Sequence, residues 1–320
     1  MDRFERRELK SEAQSALTGA AYCPGKLVLI HTAISSGLAL LIALVSFLLD
    51  QRIAGTSGLG GVGSRAILES IQSFLQTANL LLLPFWTIGL TWAFIRISRY
   101  QGAEPRDLPA GLRNIGPVLR TKLLQVFLLG GMAFGGCYLG MFIYSMLPVS
   151  RNLTTVMEPY LTEGVIDYAG LMEDPAFLSS VLWSLPFMLC GMLVLVIPMY
   201  YRIRMMDYVL FDHPEKGALH AMRASRAWMR GNRWNLFKLD LSFWWFFLLE
   251  ILVTLLGFGD MILLMLGIDL GVSQTVLFFV FYVLALAAQV GLYAWKKPLL
   301  LTAYARFYDT IKPQPQEENL

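Results

Sequence analysis

The sequence predicts an all-α polytopic membrane protein, with six transmembrane helices arranged as three hairpin repeats in one membrane domain over residues 1–320. Three observations lead there. The first is composition: 56% of the 320 residues are hydrophobic and 15% are charged, whereas soluble domains carry about 25% charged residues. The second is where charges are missing. Residues 27–49, 70–95, 123–150, 175–201 and 270–295 contain no Asp, Glu, Lys or Arg, and 241–259 contains one, Glu250. Each run approaches or exceeds the roughly 20 apolar residues that cross a hydrocarbon core. Together they take up 149 residues, which leaves no segment long enough for a separate soluble domain. The third is basic bias: 23 of the 26 Lys and Arg residues fall in residues 1–26, 96–122, 202–238 and 296–320. The positive-inside rule puts those segments, and both termini, in the cytoplasm.

Taken in order, the densely charged residues 2–12 are not followed by an apolar region until Leu27, so the start does not read as a signal peptide. Residues 3–17 form a weak amphipathic pattern, interrupted by Glu5, Glu8 and Glu12. The spans are expected at about 27–49, 74–97, 122–148, 177–203, 239–264 and 273–297. The segment 105–117, with Pro105, Pro109 and Pro117, leaves room for only a short helix. The outer loop 149–176 collects Glu158, Glu163, Asp167, Glu173 and Asp174, too dispersed for a defined cation site. Each even span carries a proline, Pro84, Pro198 or Pro298, which frees a carbonyl and favours a bend. Pro198 to Tyr208 and Pro298 to Tyr308 have the same spacing, and the unit of basic segment, span, loop and proline-bearing span recurs three times.

The cytoplasmic segment 213–231 is the clearest amphipathic helix. Asp212 suits its cap, Pro214 its first turn, and Glu215 a capping box. At 100° per residue, Lys216, His220, Arg223, Arg226 and Arg230 share one face. Together with Arg233 and Trp228 they are expected to contact the anionic lipid of the inner leaflet. The alternative is a cytoplasmic helix packed against the span ends. Gly231 ends it in either case.

The run Asp212-His213-Pro214, then Met229-Arg230-Gly231-Asn232-Arg233-Trp234-Asn235-Leu236-Phe237 and Leu241-Ser242-Phe243-Trp244-Trp245, resembles a bacterial membrane family catalogued as domain of unknown function 975. The ending Ala303-Tyr304-Ala305-Arg306-Phe307-Tyr308 is similar to that family's close. The likeness covers about 198–310 and is faint before it. It implies a multi-pass bacterial plasma-membrane protein without an assigned activity. Glu250 and the length of 151–174 depart from the family pattern.

Among residues that could carry chemistry, Glu250 stands out, near the middle of the predicted fifth span. An acidic residue there costs about 2.5–3.5 kcal/mol on insertion scales, so it marks a proton, cation or substrate site or a hydrogen-bonded packing group. Gln289, Tyr282, Asn79 and His31 are the available partners, and no Lys or Arg lies at matching depth. Gly131/Gly135 and Gly136/Gly140 read as helix-packing pairs. Gly58-Leu59-Gly60-Gly61-Val62-Gly63 fits a dinucleotide fingerprint by letter, but it joins two spans instead of following a strand. Asn152-Leu153-Thr154 is a sequon that a bacterial protein would leave idle. Cys23, Cys137 and Cys190 are scattered, and His31, His213 and His220 have no metal-ligand spacing. No cofactor, metal or nucleic-acid partner is expected, and no catalytic constellation is visible. Three function classes follow. In order of preference they are a non-enzymatic envelope or scaffold protein engaging lipid or a protein partner, a small transporter using Glu250, and an intramembrane lipid enzyme.

Overall fold

The structure is a computed structural model and describes residues 3–55, 62–150, 161–162, 165–166, 175–268 and 271–313. The acidic residues of the outer loop, the sequon and most of the Gly-rich stretch lie outside the described residues.

The long apolar runs fold as helices. They are α2 (Pro24–Gly55), α3 (Val62–Ser98), α5 (Ile115–Ser145), α6 (Pro175–Ile203), α10 (Trp244–Gly257) and α12 (Gln274–Ile311). Between them sit α1 (Arg3–Thr18), α4 (Ala110–Arg113), α7 (Met206–Asp212), α8 (Gly217–Trp228), α9 (Arg233–Leu241) and α11 (Gly259–Met265). The described part of the outer loop holds a two-residue antiparallel pair, β1 (Leu161–Thr162) with β2 (Val165–Ile166). Among the described residues, five helices are long and apolar enough to cross a membrane, and the bent pair α9–α10 makes a sixth crossing if it counts as one span.

That pair departs from the expected continuous span over 239–264. Its axis turns by 64° across Ser242 and Phe243. The Ser242 and Phe243 amides donate to Leu239 O and Asp240 O, closing a tight turn there. The Asp240 carboxylate is held from three sides, which draws α9 inward. Glu250 lies six residues into α10, about 9 Å from its Trp244 end at 1.5 Å per residue, which is the middle of that 14-residue helix.

The prolines remain inside continuous helices: Pro84 in α3, Pro186 and Pro198 in α6, Pro298 in α12. α5 lies along α6, and the glycines explain how closely. A Cβ at Gly136 or Gly140 would overlap the α6 backbone around Gly191 and Phe187, whereas Gly131 faces open space. Only one of the two small-residue pairs makes the backbone approach. Gly89 and Gly111 play the same part where α3 crosses the 105–113 segment, since added Cβ atoms would meet the Leu108 and Phe85 carbonyls.

The tightly buried core sits at the end of the bundle where α1, α7, α8 and α9 gather, called the basic end below. Leu9 and Ala13 of α1, Trp92 and Ile95 of α3, Met206 and Val209 of α7, Leu236 and Leu239 of α9, and Phe307 and Tyr308 of α12 form one cluster. The charged N-terminal helix and the C-terminal part of α12 thus pack together. Towards the far end the spans expose large apolar side chains such as Leu41, Leu48, Leu252 and Val283.

Candidate functional site

At the basic end the ends of the proline-bearing helices are joined by buried polar groups. Arg99, just past α3, donates from Nη1 to Asp212 Oδ1 at 2.7 Å and from Nη2 to Asp309 Oδ1 at 2.6 Å. Asp212 also accepts from Tyr308 Oη at 2.9 Å and Lys312 Nζ at 2.7 Å. Burial alone would lower the Arg99 pKa; the hydrogen bonds to Asp212 and Asp309 outweigh it and raise the pKa above its ordinary value. A second knot closes on Asp240, which accepts from Arg204 Nη1, Tyr201 Oη and Tyr304 Oη at 2.6–2.7 Å. A third joins Lys122 and Gln125 of α5 to the Asp207 carboxylate, while Trp92 Nε1 donates to the Asp207 carbonyl at 3.0 Å.

The equal spacing from Pro198 and Pro298 has a tertiary counterpart. Arg204 lies over the Tyr304 ring at 4.3 Å, the Tyr208 and Tyr308 rings are 5.4 Å apart, and Asp212 pairs with Lys312. In each pair the two residues lie 100 positions apart, so corresponding positions of α6–α7 and α12 meet.

The expected helix over 213–231 is shorter and differently oriented. Asp212 is drawn off to Arg99 and Lys312, so it does not cap; Pro214–Lys216 forms a single 3-10 turn, and the helix begins at Gly217 with φ +76°. Gly231, at φ +88°, lies just past its end as expected. Ala218, Ala221 and Ser225 are buried against α7, α5 and α6, and Ser225 Oγ donates to Arg202 O at 2.9 Å. This is the packed alternative. Lys216, Arg223 and Arg230 are exposed, Arg226 is half-buried, and Trp228 turns inward to within 5.7 Å of the Tyr308 ring instead of lying at an outer boundary.

The helix that does present an apolar face outward is α9. Trp234 (62% exposed), Phe237 and Leu241 share one side, opposite buried Leu236 and Leu239. Trp234 stacks on Phe237 at 4.9 Å, and exposed Trp244 and Trp245 follow. Beside this face Arg233 clusters with Arg202 and Arg230, and none of the three has an ion-pair partner among the described residues. The other flank is tied down by α1. Arg6 donates to Lys238 O, and Lys10 donates to Ser242 O while lying 4.0 Å over the Phe243 ring. Burial, then nearby Arg6 and Lys296, pushes the Lys10 ammonium below its ordinary range. The WxxF spacing and the Arg–Trp adjacency of 230–234 were readable in the sequence. The 64° turn that puts them on a separate helix was not.

Deeper in the bundle, Glu250 accepts from Tyr293 Oη at 2.5 Å, and Gln289 Nε2 donates to the same phenol oxygen at 3.2 Å. Lys297 Nζ lies 3.7 Å over the Tyr293 ring, so a cation does stand near this carboxylate, one ring away. Tyr293 was the missed partner; it lies four residues after Gln289 on the same helix face. His31 is not in this group. It is buried and stacks on Trp86 at 6.3 Å, with neither ring nitrogen hydrogen-bonded. Asn79 falls in α3, and its side chain lies outside the described residues. Among the described residues no group of three His, Cys, Asp or Glu side chains could hold a metal ion.

A family model described as Protein of unknown function (DUF975) matches residues 1–314. The chain belongs to this family. The match takes in the first half, where the motifs alone were faint. No curated protein and no solved structure matches the chain at a significant level.

Proposed function

We propose that this DUF975 protein is a non-enzymatic component of the bacterial plasma membrane, with both termini in the cytoplasm and three hairpin units. In this reading its basic end engages anionic headgroups of the inner leaflet and thereby organises lipid or a membrane partner. One observation carries it: the unpaired Arg202, Arg230 and Arg233 cluster beside the outward Trp234, Phe237 and Leu241 face of α9. An indole at the boundary with cations at headgroup level is the chemistry of interfacial anchoring. Each cation near an anionic surface contributes about 1 kcal/mol.

The test uses the full-length protein in nanodiscs of mixed phosphatidylcholine and phosphatidylglycerol. Native mass spectrometry then reads the ratio of the two lipids retained. The variant Arg230→Glu/Arg233→Glu should lower the retained anionic fraction at least tenfold, as expected from the loss of about 2 kcal/mol. An unchanged ratio sinks the proposal. Lys216→Glu/Arg223→Glu, on the exposed side of α8, should have the smaller effect, because no aromatic anchor lies beside those residues.

A further inference from the structure

Three elements turn polar groups toward one seam. On α12, Gln274, Tyr282, Gln289, Tyr293 and Lys297 recur on one face, at steps of eight, seven, four and four residues. On α2 the stripe contains Ser35 and Ser46, and on α10–α11 it contains Thr254 and Asp260. Most of these groups line the space between the helices.

Along the seam lie two adjoining cavities of about 510 and about 590 Å³, both lined by Ala39, Asp260 and Phe278. Among the described residues, Asp260 is the only charged one lining either cavity. Its side chain is buried, at 6% exposure, and one carboxylate oxygen accepts from Gln274 Nε2 at 3.3 Å. Around it the second cavity offers oxygen atoms from Ser46, Gln72, Gln76 and Thr275. The Ser46 hydroxyl is buried without a hydrogen-bond partner. No Lys, Arg or His among the described residues lines either cavity.

We propose that Asp260 and the surrounding amide and hydroxyl oxygens form a binding site for a small monovalent metal cation, entered from the end of the bundle opposite the basic end. A carboxylate withdrawn from water is stabilised only by a proton, a cation or a polar cavity. Here the described residues supply the polar cavity and no cation. All-oxygen ligation suits hard metal ions. A single carboxylate balances one positive charge, so a divalent ion would remain undercompensated. The first cavity reaches Gln289, which donates to Tyr293; Glu250 lies behind that phenol and lines neither cavity. The inference stands apart from the lipid reading, which concerns the other end of the molecule.

The experiment measures thermal unfolding of full-length protein in zwitterionic nanodiscs. Sodium, potassium or lithium chloride is titrated against choline chloride at constant ionic strength. A bound ion stabilises by RT ln(1 + [ion]/Kd), so the wild-type Tm should rise saturably by several degrees with at least one of the three metals. Asp260→Asn should abolish that rise, and Glu250→Gln should keep it. No rise over choline in the wild type, or a rise that survives in Asp260→Asn, overturns the site. Should Asp260→Asn not purify as a folded protein, Gln274→Leu replaces it. The half-saturating concentration should then rise severalfold, and an unchanged value overturns the proposal.

Discussion

Replacing Arg99 with Met tests whether the basic end is locked by charge. The guanidinium bridges Asp212 and Asp309 at 2.7 and 2.6 Å, and its removal leaves them unequal. Asp212 keeps Lys312 and Tyr308, whereas Asp309 keeps no hydrogen-bonding partner among the described residues. Removing one partner of a fully buried pair costs about 3–5 kcal/mol, and an exposed pair contributes about 0–1 kcal/mol. The Arg99, Asp212 and Asp309 side chains are 23%, 9% and 26% exposed, which places this knot between the two limits. We expect a loss of about 2–3 kcal/mol, which lowers Tm by about 3–5 °C for a chain of this size. The control is Arg96→Met, whose pair with Asp107 has the arginine 40% exposed; it should cost less than about 1 kcal/mol. The assay is thermal unfolding of purified protein in nanodiscs, followed by circular dichroism. Adding Asp309→Asn to Arg99→Met should recover at least half of the loss, because the orphaned carboxylate is then neutral. Equal shifts for Arg99→Met and Arg96→Met, or no recovery in the double variant, would refute the argument.

Two further outcomes follow from packing and hydrogen bonding. Gly140→Ala forces a Cβ onto the Phe187 carbonyl and should cost about 1–3 kcal/mol in denaturant unfolding. Gly131→Ala, facing open space, should be neutral or stabilising by up to about 1 kcal/mol, and the reverse order would mean that α5 meets α6 along another face. Glu250→Gln keeps an acceptor for Tyr293 and should change stability by less than about 1 kcal/mol, whereas Glu250→Leu strands the phenol and should cost about 1–3 kcal/mol. Equal stability of the two variants would show that the Tyr293 contact contributes nothing.

Much of the fold was legible because hydropathy is local and additive. A run without charges is apolar wherever it is read, so the helical segments could be placed from the sequence alone. Pairing is not additive in that way. The sequence singles out Glu250 as an isolated carboxylate, yet nothing in it names Tyr293 instead of His31 as the partner, since both are simply polar residues in other spans. Asp240 and Asp260 carry no signal in the sequence, because each lies at the edge of an apolar run, where charges are common. Trp228 and Trp234 look alike on paper. The helix break at Ser242 and the small face Ala218, Ala221 and Ser225 decide that one indole packs inward and the other faces out.

By itself, then, the sequence determined that the chain is helical, apolar and many-times spanning, with its basic residues gathered into a few segments. The tertiary structure decided which polar groups meet, because a buried ion must find its counter-charge across helices far apart in sequence. It brought Arg99 to Asp309, Asp240 to Tyr304 and Glu250 to Tyr293. It also left Asp260 facing a cavity that no cationic side chain among the described residues lines.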